Sequence, residues 1–438
     1  MALVVAGLVM AGVVTWAVVA RPAPGRSGSR PTTPRVAPTA PAPQVFVPPA
    51  GIAGDCSVDV APALRSWIWS LPAGTPSRPV TIEFPPSACY RVDESLYLRG
   101  LTDVTIDGRG ATFRQESPQV AEIGPLPTDH PYCGSSLDTQ SGTTVSVVPV
   151  IWWFEGGCDL TVTDMQIVGP DVGGVVGSEN DSGIELSGVQ RVTLSHLGIK
   201  DVDGDFVTLT GLHEGSAEVA GGEASDPTVD ATIRGSTFVR SGRQGITPQY
   251  VNGVTISGNT FTGVGATAID LEADTTGGCA CDVTVDNNTF DGPAPYLVAG
   301  ITGLSIERFT FSGNTLRGGA QLRIQLAPAL ASSDIAITGN AGSTASTWPW
   351  PSVGIGFSVR GDSAGPVTGV TVSDNTVPAP AGGQPFVRSG TQASDVTVRG
   401  NTLAGSSPPP VLANDGSATN RSCGNTGGTG DAPLDTPC

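Results

Sequence analysis

Gly253-Val-Thr-Ile-Ser-Gly-Asn-Thr-Phe261 and Asp395-Val-Thr-Val-Arg-Gly-Asn-Thr-Leu403 are two copies of one nine-residue phrase that recurs along this chain. Looser copies start at Asp159, Arg191, Asp230, Asp282, Arg308, Asp334 and Gly369, with a divergent copy at Asp103. Successive starts mostly lie 23 to 39 residues apart. A repeat of that length predicts a solenoid or another array of stacked units.

Within the phrase, apolar and polar residues alternate, as in Val254-Thr255-Ile256-Ser257. This is the period of a β-strand with one buried face, and it excludes a helical solenoid. A second short strand precedes most copies, at Ile184–Leu186, Val207–Leu209, Ile246, Ile269–Leu271, Leu322–Ile324 and Ile355–Phe357. Coils of about 26 residues with two or three such strands predict parallel sheets around a shared apolar core.

The sixth and seventh positions of the phrase predict its corners. The sixth is Gly, Asp, Asn or His in every copy, and these residue types tolerate the left-handed conformation of a sharp turn. The seventh is Asn in the last six copies, at Asn259, Asn288, Asn314, Asn340, Asn375 and Asn401. Stacked about 4.8 Å apart, these amides would hydrogen-bond along the stack and to the turn backbone, so we interpret this Asn ladder as structural.

These features resemble the right-handed parallel β-helix proteins of the pectin-lyase-like superfamily, over about residues 51–405. The resemblance implies an all-β solenoid whose open end is plugged by a short N-terminal helix. Asp59 is placed to cap that helix, and Pro62 is tolerated in its first turn. One face would carry Leu64, Trp67, Ile68 and Leu71.

The chain of 438 residues predicts one long repeat domain, because a solenoid grows in one dimension. Residues 1–20 form an apolar stretch that reads as a transmembrane anchor or a signal peptide, and residues 21–50 form a Pro-rich linker. The β-helix is expected at 51–405 and a Gly/Ser/Pro-rich tail at 406–438. The arginines that follow residue 20 favour a cytoplasmic domain, whereas the even cysteine count favours export. We give the cysteine count more weight and expect an extracellular or cell-surface protein.

The eight cysteines match no zinc motif, and in an exported protein they predict disulfides. Pairing by neighbourhood gives Cys56 with Cys89, Cys133 with Cys158, and Cys423 with Cys438. Cys279 and Cys281 could bridge only in a tight loop.

Function is expected on an outer sheet face, because a packed β-helix has no interior pocket. On the second strands, alternation places polar side chains of both signs outward. We expect Glu185, Asp270 and Arg323 at one level, Glu272 and Gln325 two residues further on, and Asp205, Arg243 and Gln244 at the leading edge. This side is the candidate substrate-binding face.

Asp270 and Glu272 are the candidate catalytic pair, because alternate residues of one strand project carboxyls from the same side, about 6–7 Å apart. Arg243 and Arg323 could neutralise a substrate carboxylate, or act as a base in a lyase when desolvated. The alternative interpretation of the acidic pair is a solvated sheet face. Asp201, Asp203 and Asp205 could together hold calcium, or could form a hydrogen-bonded turn; no other cofactor is indicated.

Two insertions, between Arg114 and Val150 and between Gly211 and Asp230, are long enough to wall a groove beside this face. Aromatic residues near the groove could stack on sugar rings, namely Trp152, Trp153, Tyr250, Trp348 and Trp350.

A formal charge of -18 disfavours nucleic acid, and also a polyanionic glycan unless calcium bridges it. The chain lacks the paired-aspartate, Gly-His-Gly and Arg-x-Lys set of polygalacturonase-like hydrolases and the Arg-x-Pro-x-x-Arg element of pectate lyases. The sequence therefore supports two hypotheses. One is a membrane-tethered β-helix that binds, and as a hydrolase or lyase cleaves, an extracellular polysaccharide. The other is a non-catalytic adhesion or scaffold module.

Overall fold

The computed structural model describes residues 42–126, 144–170, 181–213, 224–272, 278–301, 305–344, 349–356, 364–405, 410–415 and 417–427. Within them the chain winds as a right-handed parallel β-helix with three long parallel sheets. Each coil gives a strand to the second sheet, then to the first, then to the third, as in Ile246–Pro248, Val251–Ser257 and Thr260–Val264. The all-β solenoid predicted from the repeat is confirmed.

The repeated phrase forms the first sheet. Its strands are Gln44–Phe46, Val80–Glu83, Thr102–Asp107, Cys158–Thr163, Gln190–Ser195, Thr228–Arg234, Val251–Ser257, Cys279–Asp286, Ser305–Ser312, Ser332–Thr338, Val367–Ser373, Ala393–Arg399 and Arg421–Cys423. Gln44–Phe46 and Arg421–Cys423 lie beyond residues 51–405, so this sheet extends past the expected β-helix at both ends.

The short preceding strands form the second sheet. They are Leu96–Arg99, Trp152–Glu155, Ile184–Ser187, Val207–Thr210, Ile246–Pro248, Thr267–Asp270, Tyr296–Gly300, Ile324–Leu326, Val353–Ile355, Val387–Ser389 and Leu412–Asn414.

The third sheet follows the phrase in each coil. It contains Asp55–Asp59, Cys89–Arg91, Thr112–Arg114, Gln166–Val168, Gly198–Val202, Thr237–Ser241, Thr260–Val264, Thr289–Asp291, Thr315–Arg317, Ala341–Gly342, Thr376–Pro378 and Thr402–Ala404.

Both insertions form antiparallel ribbons at their bases. Ala121–Ile123 pairs with Val145–Val147, and Leu212–His213 pairs with Ala224–Ser225. The central residues of each insertion, and with them the acidic residues predicted at 214, 218 and 223, lie outside the described residues.

Stacked aromatic rings fill part of the core where the third sheet faces inward. The ring centroids of Phe238 and Phe261 are 4.8 Å apart, and those of Phe261 and Phe290 are 5.0 Å apart. Because equivalent residues of successive coils lie directly above one another, the rings form a column, and offset stacking stabilises each neighbouring pair.

The corner prediction is confirmed at the sixth position of the phrase. Gly258 (φ 63°), Asn287 (φ 54°) and His196 (φ 53°) are left-handed there, and in the first copy Arg109 takes the left-handed conformation instead of Gly108. The first position of the phrase is also left-handed in all ten copies, at Asp103, Asp159, Arg191, Asp230, Gly253, Asp282, Arg308, Asp334, Gly369 and Asp395.

The Asn ladder is present and directional. The side-chain oxygen of Asn314 accepts hydrogen bonds from the backbone N–H (2.9 Å) and the side-chain amide (3.1 Å) of Asn288. Asn314 in turn donates to Asn340 and to the carbonyl of Val285 (both 3.0 Å). The ladder continues to Asn425, one coil beyond the last predicted copy.

The helix Ala61–Trp69 covers the N-terminal end of the core. Val60 occupies the N-cap position, whereas the predicted cap Asp59 accepts a bond from the N–H of Ala61 (3.0 Å). Ala61, Leu64 and Ile68 are buried.

The predicted pairing of Cys56 with Cys89 is confirmed. Cys279 and Cys281, whose pairing the sequence left open, are also bonded to each other. Cys158 and Cys423 are also disulfide-bonded, and their predicted partners, Cys133 and Cys438, lie outside the described residues. In the part of the chain that is described, no helix is long and apolar enough to cross a membrane, and residues 1–20 lie outside it.

Candidate functional site

The candidate site is built around Asp205, on the outer side of the second sheet. Asp205 is 1% exposed and lies two residues before the strand Val207–Thr210. One carboxylate oxygen accepts the backbone N–H of Gln244 (2.9 Å), and the other accepts the hydroxyl of Thr247 (2.6 Å). Donors on both oxygens suit an ionised carboxylate, and the Arg243 guanidinium lies 3.6 Å from the second oxygen.

Gln244 joins this carboxylate to the next coil. Its side-chain oxygen accepts the backbone N–H of Thr267 (2.7 Å), and its side-chain amide donates to Asp270. Because Asp270 is only 7% exposed, the Gln244 amide supplies a hydrogen bond that water would supply to an exposed carboxyl.

Glu272 is the more open member of the predicted carboxylate pair. Arg243 donates to it at 3.2 Å, and the side chains of Arg243 and Glu272 are 14% and 23% exposed. Ile269 and Leu271 are fully buried in the core, so Asp270 and Glu272 both face outward, as predicted.

We call Asp205, Arg243, Gln244, Thr247, Asp270 and Glu272 the carboxylate network. It spans three successive coils, and its side chains lie on, or within three residues of, the short strands Val207–Thr210, Ile246–Pro248 and Thr267–Asp270. Such an arrangement holds three carboxyls and a guanidinium in place, and Arg243 and Glu272 are its most exposed members.

The prediction that Arg323 aligns with Asp270 in the register of the second sheet is wrong. Asp270 pairs with Ala299, and Ala299 pairs with Gln325, so Gln325 shares the level of Asp270 and Arg323 lies two residues earlier. Gln325 is buried, at 4% exposure.

Arg323 is half-buried and hydrogen-bonds the carbonyl of Pro295 (3.4 Å) and the side chain of Gln321. Burial lowers the pKa of Arg323 from its usual value, which is the direction that the suggestion of a desolvated base requires.

The coils on the N-terminal side carry a second set of outward polar groups. The Trp153 indole donates to Ser187 (2.9 Å), whose hydroxyl donates to Glu185 (3.0 Å). Glu185 is half-buried and shares the level of Thr208 in the next coil.

Sequence reasoning missed a buried ion pair beside them. Arg99 lies 3.2 Å from Glu155, both are buried, and the Tyr97 hydroxyl donates to the same carboxylate. Arg99 and Glu155 end the paired strands Leu96–Arg99 and Trp152–Glu155, and Tyr97 is 58 positions from Glu155, so only the register could have revealed this group.

Two of the predicted stacking platforms are buried. Trp152 is in the main core, and Trp153 packs with the ribbon of the first insertion, so neither presents a ring to a ligand. Tyr250 is half-buried, Trp350 is 36% exposed, and Trp348 lies outside the described residues.

The structure does not bring Asp201, Asp203 and Asp205 together as calcium ligands. Asp201 is bound by Arg240 at 2.6 Å, whereas Asp205 belongs to the carboxylate network. Among the described residues, these three carboxylates form no group with ligand oxygens within 4.8 Å of one another.

Comparisons with known proteins agree with this architecture. Residues 219–404 match a family model described as a right handed beta helix region. The A-module of the mannuronan C-5 epimerase AlgE6 from Azotobacter vinelandii is similar in structure, with a TM-score of 0.50 at 17% identity over 87% of this chain and 93% of that one. The chain therefore folds as a right-handed parallel β-helix.

Two further structures share the β-helix at a TM-score of 0.50. PfbA, a surface adhesin of Streptococcus pneumoniae, is 14% identical over 86% of this chain and 89% of that one. The GH136 lacto-N-biosidase from Eubacterium ramulus is 14% identical over 82% of this chain and 64% of that one. At these identities the likeness establishes the fold alone. No curated protein sequence matches the chain.

Proposed function

We propose that this β-helix protein binds an extracellular polysaccharide along the outer face of its second sheet, and that Asp270 and Glu272 hydrolyse it. The carboxylate network carries the proposal, because it places Asp270 at the end of one strand and Glu272 two residues further on, beside the Arg243 guanidinium. Among the similar structures, one is named a mannuronan epimerase and another a lacto-N-biosidase, which supports carbohydrate as the ligand class.

The two carboxyls have different surroundings, which suits different roles in glycoside cleavage. Glu272 is paired with the Arg243 guanidinium and is the member that carries charge, so it acts as base or nucleophile. Asp270 is bonded by the neutral amide of Gln244 and gives a proton to the leaving oxygen.

The other predicted substrate-binding residues divide by burial. Glu185, Arg243 and Arg323 reach solvent and contact the sugar in this proposal. Asp205, Gln244 and Gln325 are buried, so they hold the contacting side chains in place. Hydrolysis is favoured over elimination because Asp270 and Glu272 share the carboxylate network, which supplies the two carboxyls that glycoside hydrolysis requires.

We further propose export to the cell surface, with residues 1–20 as an anchor or signal and residues 21–50 as a linker. The disulfide between Cys56 and Cys89 supports an oxidising compartment. The charge of -18 favours a neutral glycan over a polyanionic one and disfavours nucleic acid.

The test compares the full-length protein with the double variant Asp270→Asn, Glu272→Gln. A glycan array identifies the bound glycan, and release of reducing ends measures its hydrolysis. We expect the variant to bind the glycan but to lose at least about 100-fold in rate, the usual contribution of positioned acid and base groups.

The matched control is Glu83→Gln with Asp291→Asn, two ion-paired carboxylates on the first and third sheets. It should keep both binding and rate. Full activity in the Asp270, Glu272 variant would exclude the proposed catalytic pair. Binding without any product from the wild type would instead support the adhesion module.

A further inference from the structure

A second constellation lies on the first sheet, away from the carboxylate network. Cys279 and Cys281 begin the strand Cys279–Asp286 and are joined by a disulfide. Ala280 between them is fully buried, so both cysteines face outward, and both are half-buried. This Cys-x-Cys pair has no role in the proposed glycan site.

The next coil places a carboxylate beside the two sulfurs. Glu307 pairs with Cys281 in the strand register, and one of its oxygens and both Sγ atoms all lie within 4.8 Å of one another. Among the described residues, this is the group of three that converges as metal ligands would.

We infer that reduction of the Cys279–Cys281 disulfide opens a binding site for a thiophilic divalent cation of the zinc class. A dithiol reductant supplies the two electrons: it forms a cyclic disulfide, and the protein gains two thiols. On metal binding each thiol releases a proton, and Glu307 gives the third ligand. Water takes the fourth, open position.

The spacing of the backbone suits this change. Tetrahedral zinc with bonds of about 2.3 Å holds two sulfurs about 3.7 Å apart. The Cα atoms of Cys279 and Cys281 are 5.3 Å apart, so side-chain rotation is enough to separate the sulfurs while the strand stays in place.

Glu307 can turn to the metal without leaving a cation unpaired. It accepts a hydrogen bond from Arg308 at 3.0 Å, but Arg308 also makes two bonds to Asp282, at 2.6 and 2.8 Å. Arg308 therefore keeps a bidentate partner after Glu307 has moved.

This disulfide is also the easier of the two described bridges to reduce. It closes a sequence separation of 2 residues, whereas Cys56–Cys89 closes 33. In the chain-entropy model a disulfide that closes a shorter loop stabilises the protein less. For these two loops the difference corresponds to about 50-fold in the equilibrium constant for disulfide formation. The outward position also gives an attacking thiolate access to the sulfurs.

The test titrates full-length protein with Cd²⁺ under anaerobic conditions, before and after treatment with dithiothreitol and its removal. Thiolate-to-cadmium charge-transfer absorbance reports binding. We expect one additional Cd²⁺ per chain in the reduced wild type relative to reduced Cys279→Ser, Cys281→Ser protein, which retains the other cysteines as an internal background. The oxidised wild type should show no such signal.

Glu307→Gln should weaken that additional site by at least about tenfold. Glu83→Gln, another carboxylate of the first sheet paired with an arginine (2.9 Å), is the matched control and should leave it unchanged. Equal uptake by the reduced wild type and the double Ser variant would overturn the inference. Unchanged affinity in Glu307→Gln would overturn the three-ligand site.

Discussion

Truncating one rung of the Asn ladder tests how much the corners contribute to stability. In Asn314→Ala the buried backbone N–H of Asn288 loses its acceptor, and the Val285 carbonyl loses a donor. The side-chain amide of Asn288 keeps its bond to Ile256 (2.8 Å). One orphaned N–H together with lost neutral hydrogen bonds costs about 2–4 kcal/mol.

For an ordered chain of this size, that loss corresponds to a melting temperature lower by about 3–5 °C. Thermal unfolding followed by circular dichroism measures it. The matched control is Asn252→Ala, which truncates an exposed Asn on the strand Val251–Ser257 of the first sheet. This substitution should change the free energy of unfolding by less than about 0.5 kcal/mol.

Solenoids do not always unfold in one step, so the local stability of the ladder must be measured as well. Hydrogen exchange at the Asn288 amide should accelerate in Asn314→Ala, while amides several coils away keep their protection. If both variants lowered the melting temperature equally, or if the Asn288 amide stayed protected, the ladder would not be the source of corner stability.

Two further predictions concern the core and the N-terminal coils. Phe261→Ala removes a ring packed between Phe238 and Phe290 and should cost about 3–5 kcal/mol in unfolding free energy; a cost below about 1 kcal/mol in denaturant titration would contradict the stacked column. Burial raises the pKa of Asp93, but hydrogen bonds from Arg91 and two backbone N–H groups outweigh it and hold that pKa below its usual value. Asp93 thus stabilises the fold above the unfolded pKa of about 3.9 and loses this contribution as the pH falls through its lower folded pKa. The melting temperatures of wild type and Asp93→Asn should converge on acidification below about pH 4, and a gap that stays constant with pH would refute this.

The fold was predictable because its determinants are local. Alternation marks the strands of the phrase, and Gly or Asn at the corners marks where the chain turns, as at Gly258 and Asn259. The left-handed first position was not predictable, because Asp, Arg and Gly all occur there and share no turn signal. Arg191 and Arg308 in particular are not residue types that favour the left-handed conformation.

The site was predictable only in part, because register depends on coil length. Leu322, Ile324 and Leu326 are all buried, so a slip of two residues keeps the same face inward and leaves the pattern unchanged. This is why Arg323 was placed at the level that Gln325 occupies.

Burial of polar groups was also hidden from the sequence. Asp205 and Asp270 alternate with apolar residues as exposed residues do, yet their partners Gln244 and Thr247 come from other coils. The residues that cover an outward side chain are distant in sequence, so the spacing of residues within one strand does not predict them.

The Asn ladder has a consequence for how this molecule can change in length. Each rung bonds to the next through the same atoms, and Asn288, Asn314 and Asn340 follow one another at intervals of 26 residues. Deleting one whole interval would bring Asn288 onto Asn340 with the same bonds, whereas deleting half of it would leave amides facing no partner. The coil is therefore the unit in which this chain can be shortened or extended, and the strands of the second sheet must be gained or lost together with it.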